Sequence, residues 1–241
     1  MFRILTIILT CLALVSPVAA KTQKKDKKIP TSSVLAPADI AAKQDAAFRG
    51  LQEGNERFLN KDAPKLTAEE RKAREEMPQI MILSCSDSRV PPEIVFDQPR
   101  GKLYTNRVLG PAVDEMTVGS LEYGARIMKI PVLVVMGHTK CTAIKMAMEE
   151  MENPTKDLFI NMENLMDKLK QAVRQAKAII AERDMDPKSL HEMAVKENVR
   201  NTIRRILELS PSMWQLEHRG ELKIIGCVYD KDTGKVEWLD Q

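Results

Sequence analysis

Three side chains that commonly bind metals lie in two short segments of the chain. Cys85 is followed by Asp87 and Arg89, with one residue between each, and His138 and Cys141 come farther along the chain. Two thiolates and one imidazole suit a tetrahedral zinc ion whose fourth position is free. A carboxylate at Asp87 could act on whatever fills that position, and Arg89 could hold the carboxylate in place. Three protein ligands with an acid–base partner indicate catalytic zinc, because structural zinc usually takes four ligands.

A disulfide between Cys85 and Cys141 is the alternative interpretation. If residues 1–20 are removed, three cysteines remain, so a full disulfide framework is impossible. A disulfide would also give no role to the flanking side chains, namely Asp87, Arg89 and His138. The zinc site is therefore favoured. The third cysteine, Cys227, lies in an apolar run and is predicted to be a buried small hydrophobic residue.

Residues 1–20 are predicted to be a signal peptide. Arg3 supplies the positively charged N-terminal region of a signal peptide, and residues 4–15 form a short apolar run. Val18-Ala19-Ala20 offers small residues for cleavage after Ala20. The apolar run is too short for a comfortable membrane span, although an uncleaved anchor is the alternative. We therefore expect an exported protein, periplasmic or secreted, with no stable membrane insertion after processing.

Residues 21–36 are predicted to be a Lys-rich flexible linker. The chain has a formal net charge of +3, and five lysines against one acid in this segment account for more than that excess. The remaining body is slightly negative. It therefore gives little electrostatic reason to expect nucleic-acid binding.

Residues 37–241 are predicted to form one domain of alternating helices and strands. Apolar periodicity and capping residues predict helices at 37–59, 67–77, 117–128 and 159–183, one after Cys141, and one after Asp186-Pro187. Apolar runs predict strands at 79–83, 102–106, 132–136, 222–229 and 235–239, and Pro91-Pro92 predicts a loop.

This alternation predicts an α/β fold with a mainly parallel sheet flanked by helices, and helix 37–59 forms an N-terminal arm. In such sheets, binding sites gather at the carboxyl ends of strands. Cys85 and His138 both fall at such ends, on two different strands. Ligand chemistry and topology therefore indicate the same edge of the sheet.

The segments that begin at Cys85 (Cys-Ser-Asp-Ser-Arg-Val) and end at Cys141 (Gly-His-Thr-Lys-Cys) resemble the zinc signature of β-class carbonic anhydrases. The resemblance runs from about residue 45 to 239. It also includes Gly119-Ser-Leu-Glu-Tyr-Gly, Glu197-Asn-Val-Arg, Arg219-Gly-Glu-Leu, Val228-Tyr-Asp and Thr233-Gly.

The resemblance implies one zinc per chain on Cys85, His138 and Cys141, and reversible hydration of CO₂ to bicarbonate and a proton by attack of zinc-bound hydroxide. Asp87 would accept a hydrogen bond from that hydroxide, and Arg89 would fix Asp87. The family also implies a homodimer or a larger homo-oligomer.

Three further residues match the substrate pocket of the plant-like subgroup in this resemblance: Gln98, Tyr104 and Tyr123. Position 82 is isoleucine, where the bicarbonate-inhibited subgroup has tryptophan. The chain therefore resembles the open-site subgroup more closely.

The chain departs from many relatives at Leu109, Pro111 and Thr142, and the side chains of Leu109 and Thr142 could narrow the pocket. Two other functions stay open. One is hydrolysis of CS₂ or COS by the same hydroxide. The other is a non-catalytic protein stabilised by zinc, which the Asp87–Arg89 pair argues against.

Overall fold

The computed structural model describes residues 37–59, 68, 72, 76–155 and 158–240. The predicted signal peptide, the linker 21–36 and most of the predicted helix 67–77 lie outside these residues. The domain boundaries proposed from the sequence stay predictions.

The described chain forms a five-stranded sheet in the order β2-β1-β3-β4-β5. The strands are β1 (Ile80–Cys85), β2 (Leu103–Val108), β3 (Val132–His138), β4 (Lys223–Tyr229) and β5 (Val236–Trp238). Strands β1 to β4 are parallel and β5 is antiparallel to β4. The predicted mainly parallel α/β fold is confirmed.

The helices are α1 (Pro37–Leu59), α2 (Pro92–Val95), α3 (Glu115–Glu122), α4 (Thr142–Glu152), α5 (Ile160–Glu182), α6 (Leu190–Leu209) and α7 (Pro211–His218). A π-helical turn, Tyr123–Ile127, continues α3, and a 3-10 turn, Pro187–Ser189, precedes α6. The predicted loop at Pro91-Pro92 was wrong. The segment after Pro91 is a short helix because proline suits the first helical turn.

The core is formed by the sheet and by buried residues of helices α3 to α7. Strands β1 and β3 are buried along nearly their whole length, as expected for parallel strands covered on both faces. One face of α5 packs into the core, where Met166, Leu169 and Val173 are fully buried. This packing fixes the two central strands whose ends carry the candidate ligands.

Helix α6 lies very close to the sheet where β3 and β4 carry glycines. A Cβ added at Gly137 would lie 2.8 Å from Val199 Cγ2, and one at Gly226 would lie 2.9 Å from Val199 Cγ1. Gly137 directly precedes His138, so this close approach sets the position of a candidate ligand.

Candidate active site

The candidate site lies at the carboxyl ends of the two central strands. Cys85 is the last residue of β1 and His138 the last residue of β3, so both strands extend slightly farther than the sequence predicted. Cys141 directly precedes α4. Lys140 adopts a positive φ of 54°, and the chain turns there between the second and third ligands.

The ligand atoms of Cys85, His138 and Cys141 all lie within 4.8 Å of one another, and all three residues are buried. Both cysteines are free thiols. The His138 ring is oriented by a hydrogen bond between Nδ1 and the Thr139 carbonyl oxygen, 3.0 Å away. When Nδ1 carries the proton, the lone pair of Nε2 faces the two sulfur atoms.

The donor set fits a zinc ion. His138 Nε2 is buried and has no hydrogen-bond partner among the described residues, which is costly unless something else binds it. Hydrogen bonding from Cys141 lowers the pKa of the Cys85 thiol, while the same interaction and burial raise the pKa of Cys141. One thiol is thus ready to lose its proton, and a metal would favour the thiolate form of both.

The Asp87 carboxylate is held beside this cluster by Arg89. Arg89 Nη2 donates to Asp87 Oδ2 at 2.6 Å, while its Nε and its backbone N–H donate to Oδ1 at 2.9 and 3.0 Å. Asp87 Oδ2 lies 3.8 Å from His138 Nε2. The hydrogen bonds from Arg89, with smaller contributions from His138 and Lys231, hold the pKa of Asp87 well below its usual range.

The end of β2 and the loop that follows it support Cys85, the first candidate ligand. Arg107 donates from Nε to the Cys85 carbonyl oxygen at 3.0 Å, and its Nη2 donates to the Asp87 carbonyl oxygen. The Gly110 N–H donates to Cys85 Sγ at 3.4 Å. Asn198 on α6 in turn donates to the Gly110 carbonyl oxygen at 2.6 Å. The position of one ligand therefore depends on a helix far away in sequence.

The structure brings together the three candidate ligands, Asp87 and Arg89. Of the predicted pocket residues, Gln98 donates to the carbonyl oxygens of Phe96 and Asp97, and Tyr123 is 53% exposed. Tyr104 lies near the start of β2, and its hydroxyl bonds to Ser120 on α3. Among the described residues, the hydrogen bonds of Gln98 and Tyr104 go to groups outside the cluster. Their role in binding substrate stays a prediction.

Two side chains near the cluster were not predicted to contribute. His191 Nε2 lies 3.0 Å from the Cys141 carbonyl oxygen, and Lys231 Nζ lies 3.6 Å from Asp87 Oδ2. Lys231 follows β4, so the rule that sites gather at the carboxyl ends of strands was the signal that could have indicated it. Thr142, in contrast, is exposed, and Leu109 packs against the core.

The fold and the site together define a metal-binding α/β enzyme, and comparison with known proteins supplies the family. Residues 80–236 match the family model described as carbonic anhydrase. The chain is 29% identical over 199 residues to carbonic anhydrase 2 of Mycobacterium tuberculosis, which covers 81% of this chain and 92% of that protein.

Solved structures agree on the fold. The β-carbonic anhydrase CcaA superimposes with a TM-score of 0.63 at 24% identity, covering 80% of this chain and 95% of that one. A tetrameric β-carbonic anhydrase of Sordaria macrospora has a TM-score of 0.59 at 22% identity, covering 85% and 97%. The chain belongs to the carbonic anhydrase family, as an enzyme of the β class. Its assignment to the plant-like subgroup stays a prediction.

Proposed function

We propose that this carbonic anhydrase hydrates CO₂ reversibly to bicarbonate and a proton with one zinc ion per chain, held by Cys85, His138 and Cys141. The observation that carries the proposal is the buried Nε2 of His138, which has no hydrogen-bond partner in the described part of the chain and lies within 4.8 Å of the sulfur atoms of Cys85 and Cys141. A bound zinc ion would supply a hydroxide nucleophile near neutral pH.

Asp87 orients the reacting oxygen and does not carry the proton away. Its two carboxylate oxygens accept three hydrogen bonds from Arg89, and its pKa is far below neutral. A carboxylate in that state is a poor base but a well-placed acceptor. One oxygen lies beside His138 Nε2, so it can accept a hydrogen bond from a group at the metal position.

Arg107 and Gly110 keep the first ligand in place during the reaction. Arg107 fixes the carbonyl groups of Cys85 and Asp87, and the Gly110 N–H contacts the Cys85 sulfur. A hydrogen bond to a coordinating thiolate reduces the charge that the sulfur donates to the metal. Water bound to a zinc ion at this site would therefore be more acidic than if neither thiolate accepted a hydrogen bond.

The test is zinc analysis together with stopped-flow assays of CO₂ hydration and CS₂ hydrolysis. We expect one zinc per chain and CO₂ hydration as the faster reaction. A zinc-loaded protein that hydrolyses CS₂ but does not hydrate CO₂ would show that the departures at Leu109, Pro111 and Thr142 redirect the chemistry. A protein with zinc and neither activity would support a binding role.

We also propose that the mature protein begins near Lys21 and is exported to the periplasm or secreted. The short apolar run and Val18-Ala19-Ala20 support this proposal. None of the described helices is long and apolar enough to cross a membrane. Mass spectrometry of the protein from its native host should show loss of residues 1–20. Intact protein beginning at Met1 in the cytoplasm would contradict export.

The protein is further proposed to be a homodimer or a larger homo-oligomer. The support is the exposed apolar side chains of α1, since Phe48, Leu51 and Leu59 are 63%, 72% and 73% exposed. Such a row of apolar groups is rare on a monomer. Light scattering should give at least twice the chain mass, and replacing Phe48 and Leu51 by serine should lower it.

A further inference from the structure

A second cation, Lys231, lies beside Asp87 and is much less exposed than Arg89. The Lys231 side chain is only 9% exposed and that of Asp87 is 7% exposed, with Lys231 Nζ 3.6 Å from Asp87 Oδ2. The Arg89 side chain, in contrast, is 59% exposed. Solvent screens an exposed pair far more than a buried one. The lysine is more distant than Arg89 and its contribution to the lowered pKa of Asp87 is smaller, but it is a less exposed ion-pair partner of the same carboxylate.

The turn after β4 fixes Lys231 in this position. The Lys231 N–H donates to Thr139 Oγ1 at 3.0 Å, and the Thr139 N–H donates to the Tyr229 carbonyl oxygen at 2.9 Å. Thr139 Oγ1 itself donates to Asp230 Oδ1 at 3.2 Å. These bonds fasten the turn to the residue that follows the ligand His138.

The Lys231 side chain is also fixed at its far end, the ammonium group. Lys231 Nζ donates to the Lys140 carbonyl oxygen at 3.1 Å, within the loop between His138 and Cys141. An ammonium group that donates a hydrogen bond to a backbone carbonyl and forms an ion pair with a carboxylate has little freedom to turn away. Its position is therefore set by the same loop that positions two candidate ligands.

We infer that Lys231 is a second positioning residue for Asp87, which keeps the carboxylate turned toward the reacting oxygen and away from direct metal coordination. Asp87 Oδ2 lies 3.8 Å from His138 Nε2, close enough to reach a metal if it were released. The exposed Arg89 and the much less exposed Lys231 both contact Asp87 Oδ2. The inference rests on the proposed zinc site and on the role of Asp87 in CO₂ hydration.

The first test compares CO₂ hydration by zinc-loaded Lys231→Met and Lys231→Gln with the wild type. The Gln variant keeps a hydrogen-bond donor for the Lys140 carbonyl without the positive charge. It replaces the Met variant in this test if the Met variant does not fold. We expect full zinc content and a fall in kcat of about threefold to a hundredfold, the range of coupling between contacting charges. Lys235→Met removes a lysine from the same turn and should leave kcat unchanged.

The background variant Asp87→Asn shows whether Lys231 acts through Asp87. In the Asp87→Asn protein, adding Lys231→Met should change kcat by less than about twofold, because the carboxylate charge that Lys231 pairs with has been removed. Unchanged kcat in both Lys231 variants, or an equal fall in the Asp87→Asn background, would overturn the inference.

A spectroscopic readout makes the test independent of activity. In protein loaded with Co²⁺, a released Asp87 would coordinate the metal. We therefore expect the visible spectrum of the Arg89→Ala/Lys231→Met variant to differ from that of the wild type and to change little when azide is added. Adding Asp87→Asn to that variant should restore the spectral change on addition of azide. A wild-type spectrum and azide response in the double variant would overturn the inference, whereas failure of wild-type CO₂ hydration would overturn only the proposed function.

Discussion

Arg89 holds Asp87 through both carboxylate oxygens, with Nη2 2.6 Å from Oδ2 and Nε 2.9 Å from Oδ1. This arrangement lowers the pKa of Asp87. The pair therefore contributes its stabilisation above the ordinary pKa of a carboxyl group and loses it only as the pH falls through the lowered value. Asp87 stays charged across the neutral range, and its protonation does not set the activity there.

Replacing Asp87 by asparagine should separate chemistry from metal binding. The amide keeps the size of the side chain but cannot form the charged pair with Arg89. Zinc content should stay near one per chain, while CO₂ hydration falls by about tenfold to a thousandfold, as expected when a preorganised polar contact is lost. Stopped-flow kinetics and elemental analysis on the same sample check both parts.

The double variant Asp87→Asn/Arg89→Ala provides the control. Arg89→Ala should lower activity in the same range, and the double variant should fall much less than the product of the two single effects, because the residues act as a unit. An Asp87→Asn enzyme with full zinc and wild-type turnover would show that the pair is structural.

The metal ligands should respond differently from Asp87. Cys85→Ser, His138→Ala and Cys141→Ser should each lose zinc, since a three-residue site does not tolerate the loss of one ligand. Cys227→Ala should keep it, because Cys227 lies on β4 outside the cluster. Full zinc occupancy in any of the three ligand variants would refute this ligand set.

Gly137→Ala should destabilise the protein by about 1–3 kcal/mol, the usual cost of an overpacked contact. The new Cβ would lie 2.8 Å from Val199 and 3.0 Å from Val195, so α6 must move away from β3. Urea unfolding measures the effect. Gly119→Ala is the matched control, since beyond its chain neighbours and its own helix backbone no described atom lies within 4 Å of the added Cβ. A loss as large there would contradict the packing argument.

Stability at alkaline pH should depend on Cys227. Burial raises the pKa of its thiol from 9.0 to about 12, so the buried neutral thiol stabilises the fold below pH 9 and that contribution is lost as the pH rises toward 12. The free energy of unfolding of the wild type, relative to Cys227→Ala, should fall by about 2 kcal/mol between pH 9 and 10.5. If the free energy of unfolding depended on pH in the same way for the wild type and for Cys227→Ala, this expectation would be contradicted.

The ends of the central strands could be predicted from the sequence because two signals coincide there. Apolar runs indicated buried parallel strands, and the residues that follow them, Cys85 and His138, have the chemistry of metal ligands. Local periodicity also predicted α1 and α5 to within one residue at each end. These features depend on neighbours along the chain, which a single sequence displays.

Features that depend on distant contacts could not be predicted in this way. Lys231 reaches Asp87 only because β4 pairs with β3 and its turn is fastened to Thr139. Asn198 supports Gly110 only because α6 packs across the sheet. Tyr104 bonds to Ser120 because α3 packs beside the start of β2, which no local pattern reveals.

The most direct measurement of the central claim is CO₂ hydration by the purified protein before and after zinc removal, with zinc counted in the same samples. We predict about one zinc per chain, hydration well above the buffer rate, loss of activity with the metal, and recovery when zinc is returned. Protein that holds one zinc per chain and hydrates CO₂ no faster than buffer would contradict the account.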